Sequence, residues 1–223
     1  MVENRTLDRT TGRTEGPGTT TGTAGSGIGS PVALGLVAFS TSAFTLGTVL
    51  AHWWSDPGGD LMLIAPVLLV FGGIAQFVAA MWSYARGSTV TATFLGSFGS
   101  LFAMVAIGDL LASAGRVAVG AGSPALGPLG VLAGCFGFIA LIVAAGIWKE
   151  SLGLALTSLG MAVALFFVAW SLFAAGNLLL AQIGGWVGVV TGILGFATAA
   201  TTALGLGLGM PIVMPRLGLH HAA

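Results

Sequence analysis

The sequence predicts an all-α integral membrane protein with six transmembrane helices per subunit. Three observations carry that prediction. The 223-residue chain is 56% hydrophobic and only 6% charged, with a mean hydropathy of +1.00, whereas water-soluble domains carry about 25% charge. It contains six long apolar runs, each near or above the roughly 20 residues a helix needs to cross a hydrocarbon core. Trp and Tyr gather at the ends of several runs, where amphipathic rings settle at a membrane interface.

Residues 1–29 are rich in Thr and Gly, with Arg5, Arg9 and Arg13 offset by Glu3, Asp8 and Glu15. Such a composition buries no core and holds no apolar h-region, so a disordered cytoplasmic tail is expected rather than a cleavable signal peptide. Ser30 and Pro31 mark the first helix start, Ser as a favoured N-cap and Pro as a favoured first helical residue. That run continues to Ala51 and is followed by His52, Trp53 and Trp54. The second run, Leu61 to Tyr84, ends in Trp82 and Tyr84, and the third covers Thr89 to Leu111. A connection containing Gly and Pro leads to the fourth, Leu129 to Trp148. After Lys149 and Glu150 the fifth goes from Leu152 to Leu180, and the sixth from Trp186 to Met210, stopped by Pro211 and Pro215. Residues 30–210 are thus expected to form one six-helix transmembrane domain, and 211–223 a short cytoplasmic tail.

Positive charge sets the orientation, because Lys and Arg in short loops stay on the cytoplasmic side. With the N-terminus inside, that side holds Arg5, Arg9, Arg13, Arg86, Lys149 and Arg216, and the outer side only Arg116. Both termini are expected in the cytoplasm of a multi-pass plasma or inner membrane protein. The zero net charge leaves no basic face for phosphates, so nucleic acid is not an expected partner.

Helices in lipid associate by close approach of small residues. In the sixth run Gly184, Gly188 and Gly192 recur every four residues, with Gly195 and Ala199 on the same face. These positions read first as packing sites, and second as a pore wall or subunit interface.

The chemistry available inside the membrane is sparse. Asp109 lies near the outer end of the third run, read as an interfacial carboxylate or a proton-linked group. Cys135, the single cysteine, reads as buried filler. No second intramembrane carboxylate, core histidine, P-loop, HExxH or dinucleotide fingerprint is present, so an enzyme, a catalytic residue, a metal and a cofactor are all unexpected. Gln76 and Asn177 are read as deep amides that either bond across helices or donate to a passing solute. They follow Pro31 by 45 and Pro128 by 49 residues, and Phe39 and Phe136 each follow those prolines by eight, a hint of two inverted three-helix repeats. Hydroxyls recur with helical spacing at Thr41, Thr45 and Thr48 and at Thr93, Ser97 and Ser100, beside Phe94, Phe98 and Phe102. They either bond their own backbone or line a narrow conduit beside a hydrophobic constriction. The stretch Gly72–Phe102, which holds Gln76, the basic loop at Arg86 and the second stripe, is the expected lining of a pathway for a small solute.

The segment FGGIAQFVAAMWSYARGSTVTATFLGSFGSLF resembles the second and third spans of the acetate uptake transporter family (SatP/YaaH-like acetate and succinate permeases), with GGIAQ, a short basic loop and an F-T-S-Y-G-S-F-W type run. The family's signature N-P-[AV]-P-[LF]-G-L-x-[GSA]-F is similar to Ser30–Phe39, where Ser replaces Asn and Ala33 the second Pro. Ala174-Ala175-Gly176-Asn177 and Gly185-Trp186-Val187-Gly188 carry further likeness, which extends over residues 30–204 in all.

The resemblance implies a homohexamer in the lipid bilayer that moves acetate or similar small carboxylates, such as succinate, by proton-linked uptake. By motif position Phe39, Phe98 and Phe166 would narrow the path, with Ser30 at one end. Acetate is an anion at neutral pH, and a bare anion is costly in a low dielectric. No Lys or Arg lies in the core, so neutral donors must hold it: Gln76, Asn177, the hydroxyls and the N–H groups at Ser30–Pro31. Such a site binds weakly and favours channel-like flux or proton symport. The alternatives are a passive channel for small anions or neutral solutes and a non-transporting membrane scaffold or sensor partner.

Overall fold

The computed structural model describes residues 30–54, 57–118 and 122–204. The expected N- and C-terminal tails, and with them Arg5, Arg9, Arg13 and Arg216, lie outside the described residues. Those that are described form helices, without a strand among them, and six of the helices are long and apolar enough to cross a membrane.

Span 1 is Val32–Leu50. Pro31 stands at its N-cap with helical dihedrals, φ −76° and ψ −12°, and no side chain caps the helix. The expected Ser30 cap is therefore absent: the proline ring holds its own φ in the helical range, and Gly35 N–H donates to the Pro31 carbonyl at 3.0 Å. Span 2 combines Pro57–Val67, a π-helical stretch Leu68–Ala75 and Gln76–Ala85. Pro66 offers no N–H to the carbonyl four residues back, and the wider π turns begin two residues later. There Gly72 packs on Ser42 and Phe102, and Gly73 on Ala103.

Span 3 is Thr89–Ser113 and span 4 is Leu126–Ile147. Pro128 falls in the first turn of span 4, where its missing N–H is harmless. Span 5, Leu152–Phe173, is capped by Ser151, whose Oγ accepts from Leu154 N–H at 3.3 Å. It stops seven residues short of the expected Leu180. Ala175 and Gly176 take left-handed dihedrals, φ 57° and 81°, and Gly176 N–H and Asn177 N–H both turn back to the Ser171 carbonyl. Span 6, Leu178–Ala203, starts there, eight residues ahead of the expected Trp186.

The glycine face of span 6 packs as expected. A Cβ at Gly47 of span 1 would stand 2.8 Å from Val189 N and 2.9 Å from the Gly185 carbonyl oxygen, so the two backbones touch. Interfacial aromatics are exposed at the ends of spans 1 and 2, among them Trp54, Trp82 and Tyr84. Cys135 is exposed on span 4 rather than buried, which corrects its reading as filler.

Candidate functional site

A cluster of phenylalanines occupies the middle of the bundle. Phe39 of span 1 meets Phe94, Phe98 and Phe102 of span 3 with ring centroids 4.9, 5.4 and 5.9 Å apart. Phe94 and Phe98 are 5.0 Å apart, and Phe98 reaches Phe136 of span 4 at 6.3 Å. The span 3 rings recur every four residues and so share one face of the helix. Phe39, Phe94 and Phe98 are fully buried. Rings at 4.5–7 Å in tilted and edge-on arrangements attract each other, and together they form a closed plug. The sequence singled out Phe39 and Phe98; Phe94, Phe102 and Phe136 complete the cluster. The spacing Pro31–Phe39 and Pro128–Phe136 was the signal for the last of these, since both phenylalanines arrive at Phe98.

Above the plug lies a cavity of about 640 Å³. It is lined by the C-terminal halves of spans 1, 3 and 5 and the N-terminal halves of spans 4 and 6, so it belongs to the end of the bundle that carries Arg116. Leu101, Phe102, Met161 and Leu165 are among its walls, and Phe102 belongs to the plug as well, so cavity and plug are continuous. Among the described residues Asp109 is the one ionisable residue lining it. Span 3 ends at Ser113, before Arg116.

Gln76 is fully buried at the junction of the π stretch with the rest of span 2, its Cβ facing Gly99 of span 3. Among the described residues neither its Oε1 nor its Nε2 has a hydrogen-bond partner. A buried, unpaired amide costs about 1–3 kcal/mol. Ser40 Oγ is similarly buried and unpaired, at the contact of span 1 with Gly195 and Thr157.

Other expected site residues are placed elsewhere. Ser97 lies with Thr93 and Ser100 in a separate shallow groove of about 280 Å³, shared with Phe77 and Tyr84 of span 2. Thr93 and Ser100 donate to the carbonyls of Thr89 and Gly96, and Thr41, Thr45 and Thr48 likewise bond their own helix. The expected wall of hydroxyls beside the rings is not formed, because the stripe occupies a different side of span 3 from Phe94, Phe98 and Phe102. Phe166 packs on Gly137 and on the ring of Phe138, 5.2 Å away, and takes no part in the plug; from span 5 it is Met161 and Leu165 that line the cavity. Asn177 is not deep in span 5. It is the exposed N-cap of span 6, where its Oδ1 accepts from Leu180 N–H at 3.3 Å and its carbonyl accepts from Ser171 Oγ at 2.7 Å. The match of Gln76 with Asn177 as repeat partners therefore fails.

Comparison with known proteins places this geometry in context. The sequence model described as the GPR1/FUN34/yaaH family matches residues 12–205. The succinate-acetate/proton symporter SatP of Escherichia coli K12 is 26% identical over 178 residues, which cover 80% of this chain and 88% of that protein. The glyoxylate pathway regulator of Yarrowia lipolytica is 35% identical over 77 residues, 34% of this chain and only 27% of that relative. Among solved structures, that of the bacterial acetate channel SatP superposes with a TM-score of 0.71 at 24% identity, covering 83% of this chain and 98% of the other. The shared fold is the six-span bundle.

Proposed function

This chain belongs to the GPR1/FUN34/yaaH family, and from that premise we propose that it carries small monocarboxylates such as acetate across the membrane. The path runs from the cavity through the plug of Phe39 and Phe98, and Ser30 marks its cytoplasmic mouth. The observation that supports the reading is the continuity of a largely apolar cavity with the cluster of phenylalanines. Gln76, with both amide atoms unpaired, is the donor that a carboxylate would meet beside the plug. The names of the relatives, a succinate-acetate/proton symporter and an acetate channel, support a small carboxylate as the solute. Ser97, Phe166 and Asn177 drop out of the path.

Proton-linked uptake with channel-like flux is the form we favour, since a site of neutral donors binds weakly and releases quickly. A homohexamer with both termini in the cytoplasm follows from the resemblance and from the charge asymmetry of the loops. Purified protein in liposomes tests the whole reading. Labelled acetate should accumulate above protein-free liposomes and faster under an inward proton gradient. Flux indifferent to that gradient would leave a passive channel, and no flux for any of acetate, formate, lactate or succinate would leave a scaffold. Cross-linking in the bilayer should stop at six subunits.

A further inference from the structure

The geometry points to Asp109 as the group with which an entering carboxylate shares a single proton. The inference rests on the carboxylate reading of the path and adds a residue to it. Asp109 projects from span 3 into the wall of the 640 Å³ cavity, whose other described lining residues are apolar side chains and glycines. Its Oδ2 is buried without a hydrogen-bond partner among the described residues. Spans 1, 4, 5 and 6 present no ionisable side chain to the cavity. The titratable and charged groups in the described connections at that end are His52 and Arg116, and neither lines the cavity. Among the described residues Asp109 has no ion pair.

An ionised solute entering such a cavity therefore meets a carboxyl group and no cation. Two bare carboxylates at hydrogen-bond range in apolar surroundings repel each other, and one shared proton converts that pair into an O–H donor and an acceptor. The bound state is then one solute, one proton and Asp109, whichever of the two groups holds the proton. Charge balances: the pair carries one negative charge, the charge that Asp109 carried alone. The solute arrives with a proton from the outer solution, and its alkyl part lies against the apolar wall. Asp109 thus sets the proton count of the bound state.

Acetate binding to the protein in nanodiscs, read by saturation-transfer NMR on the acetate methyl group, tests this. Between about pH 6 and about pH 8 acetate in solution is nearly all anion, so co-binding of one proton weakens its apparent affinity about tenfold per pH unit. Asp109→Glu should keep that slope. Asp109→Asn, which donates through an amide and needs no proton, should flatten it to within about twofold over the range. An unchanged slope in Asp109→Asn, or no slope in the wild type, overturns the inference. Should Asn fail to give monodisperse protein, Asp109→Gln supplies the same donor. Adding acetate to weakly buffered wild-type protein should also take up about one proton per acetate bound, and no uptake would overturn the inference equally. Proton-coupled binding without liposome flux would leave Asp109 standing and defeat the transport reading. Flux with pH-independent binding would do the reverse.

Discussion

If the plug is the barrier, shortening Phe39 should open it. The ring of Phe39 faces those of Phe94, Phe98 and Phe102, and an aromatic pair contributes about 0.5–1.5 kcal/mol beyond its burial. Passage of a solute requires that these contacts separate. At about 1 kcal/mol for each of the three pairs, their removal in Phe39→Ala lowers the opening cost by about 3 kcal/mol, and each 1.4 kcal/mol is tenfold, so flux rises about 100-fold. Phe136 meets Phe98 alone, and Phe136→Ala should raise flux by no more than about tenfold. Phe166→Ala, outside the plug, should leave flux within about twofold of the wild type. The assay is acetate efflux from proteoliposomes, with a larger solute such as benzoate as a second probe of lost selectivity. Folding is checked separately, because a Phe→Ala change in a core costs about 3–5 kcal/mol. Folded Phe39→Ala protein with wild-type flux, or a rise in Phe166→Ala as large as in Phe39→Ala, would refute the plug.

Gln76→Leu removes two unpaired buried polar atoms, so it should hold or raise thermal stability while acetate flux falls about tenfold, the value of one neutral hydrogen bond; a stability loss without a flux change would assign the amide to structure. Asn177→Ala should cost about 1 kcal/mol through the lost cap on span 6 and leave acetate affinity unchanged, as measured by thermal unfolding and uptake on one preparation. Gly47→Ala forces a methyl group onto the backbone of span 6 and should destabilise by about 1–3 kcal/mol. Gly108→Ala, with open space around the added atom, should be neutral or gain up to about 1 kcal/mol of helix propensity. Equal melting temperatures for those two variants would contradict the close contact of spans 1 and 6.

Much of this architecture is legible from residues alone. Low charge and apolar length dictate six spans, because the hydrocarbon core forces the backbone to satisfy itself within each helix. Small residues at every fourth position of span 6 dictate where a neighbour can come close, and Gly188 and Gly192 do lie against span 1. The end of span 5 was also readable: a left-handed Gly176 followed by a capping Asn177 is a stop and a start, masked by the apolar residues on both sides.

Facing is what the tertiary structure decided. A span that is apolar all round gives little sign of which side meets lipid and which meets a neighbour, so Ser97 and Phe98, adjacent in sequence, could not be sorted between groove and plug. The same holds for Phe166 against Met161 and Leu165 on span 5. Asp109 shows the limit most clearly. Its sequence position says only that a carboxylate stands near a membrane boundary, and the packing of five spans, its own among them, around one cavity makes that boundary an apolar wall, where an unpaired carboxyl oxygen acquires a chemical use.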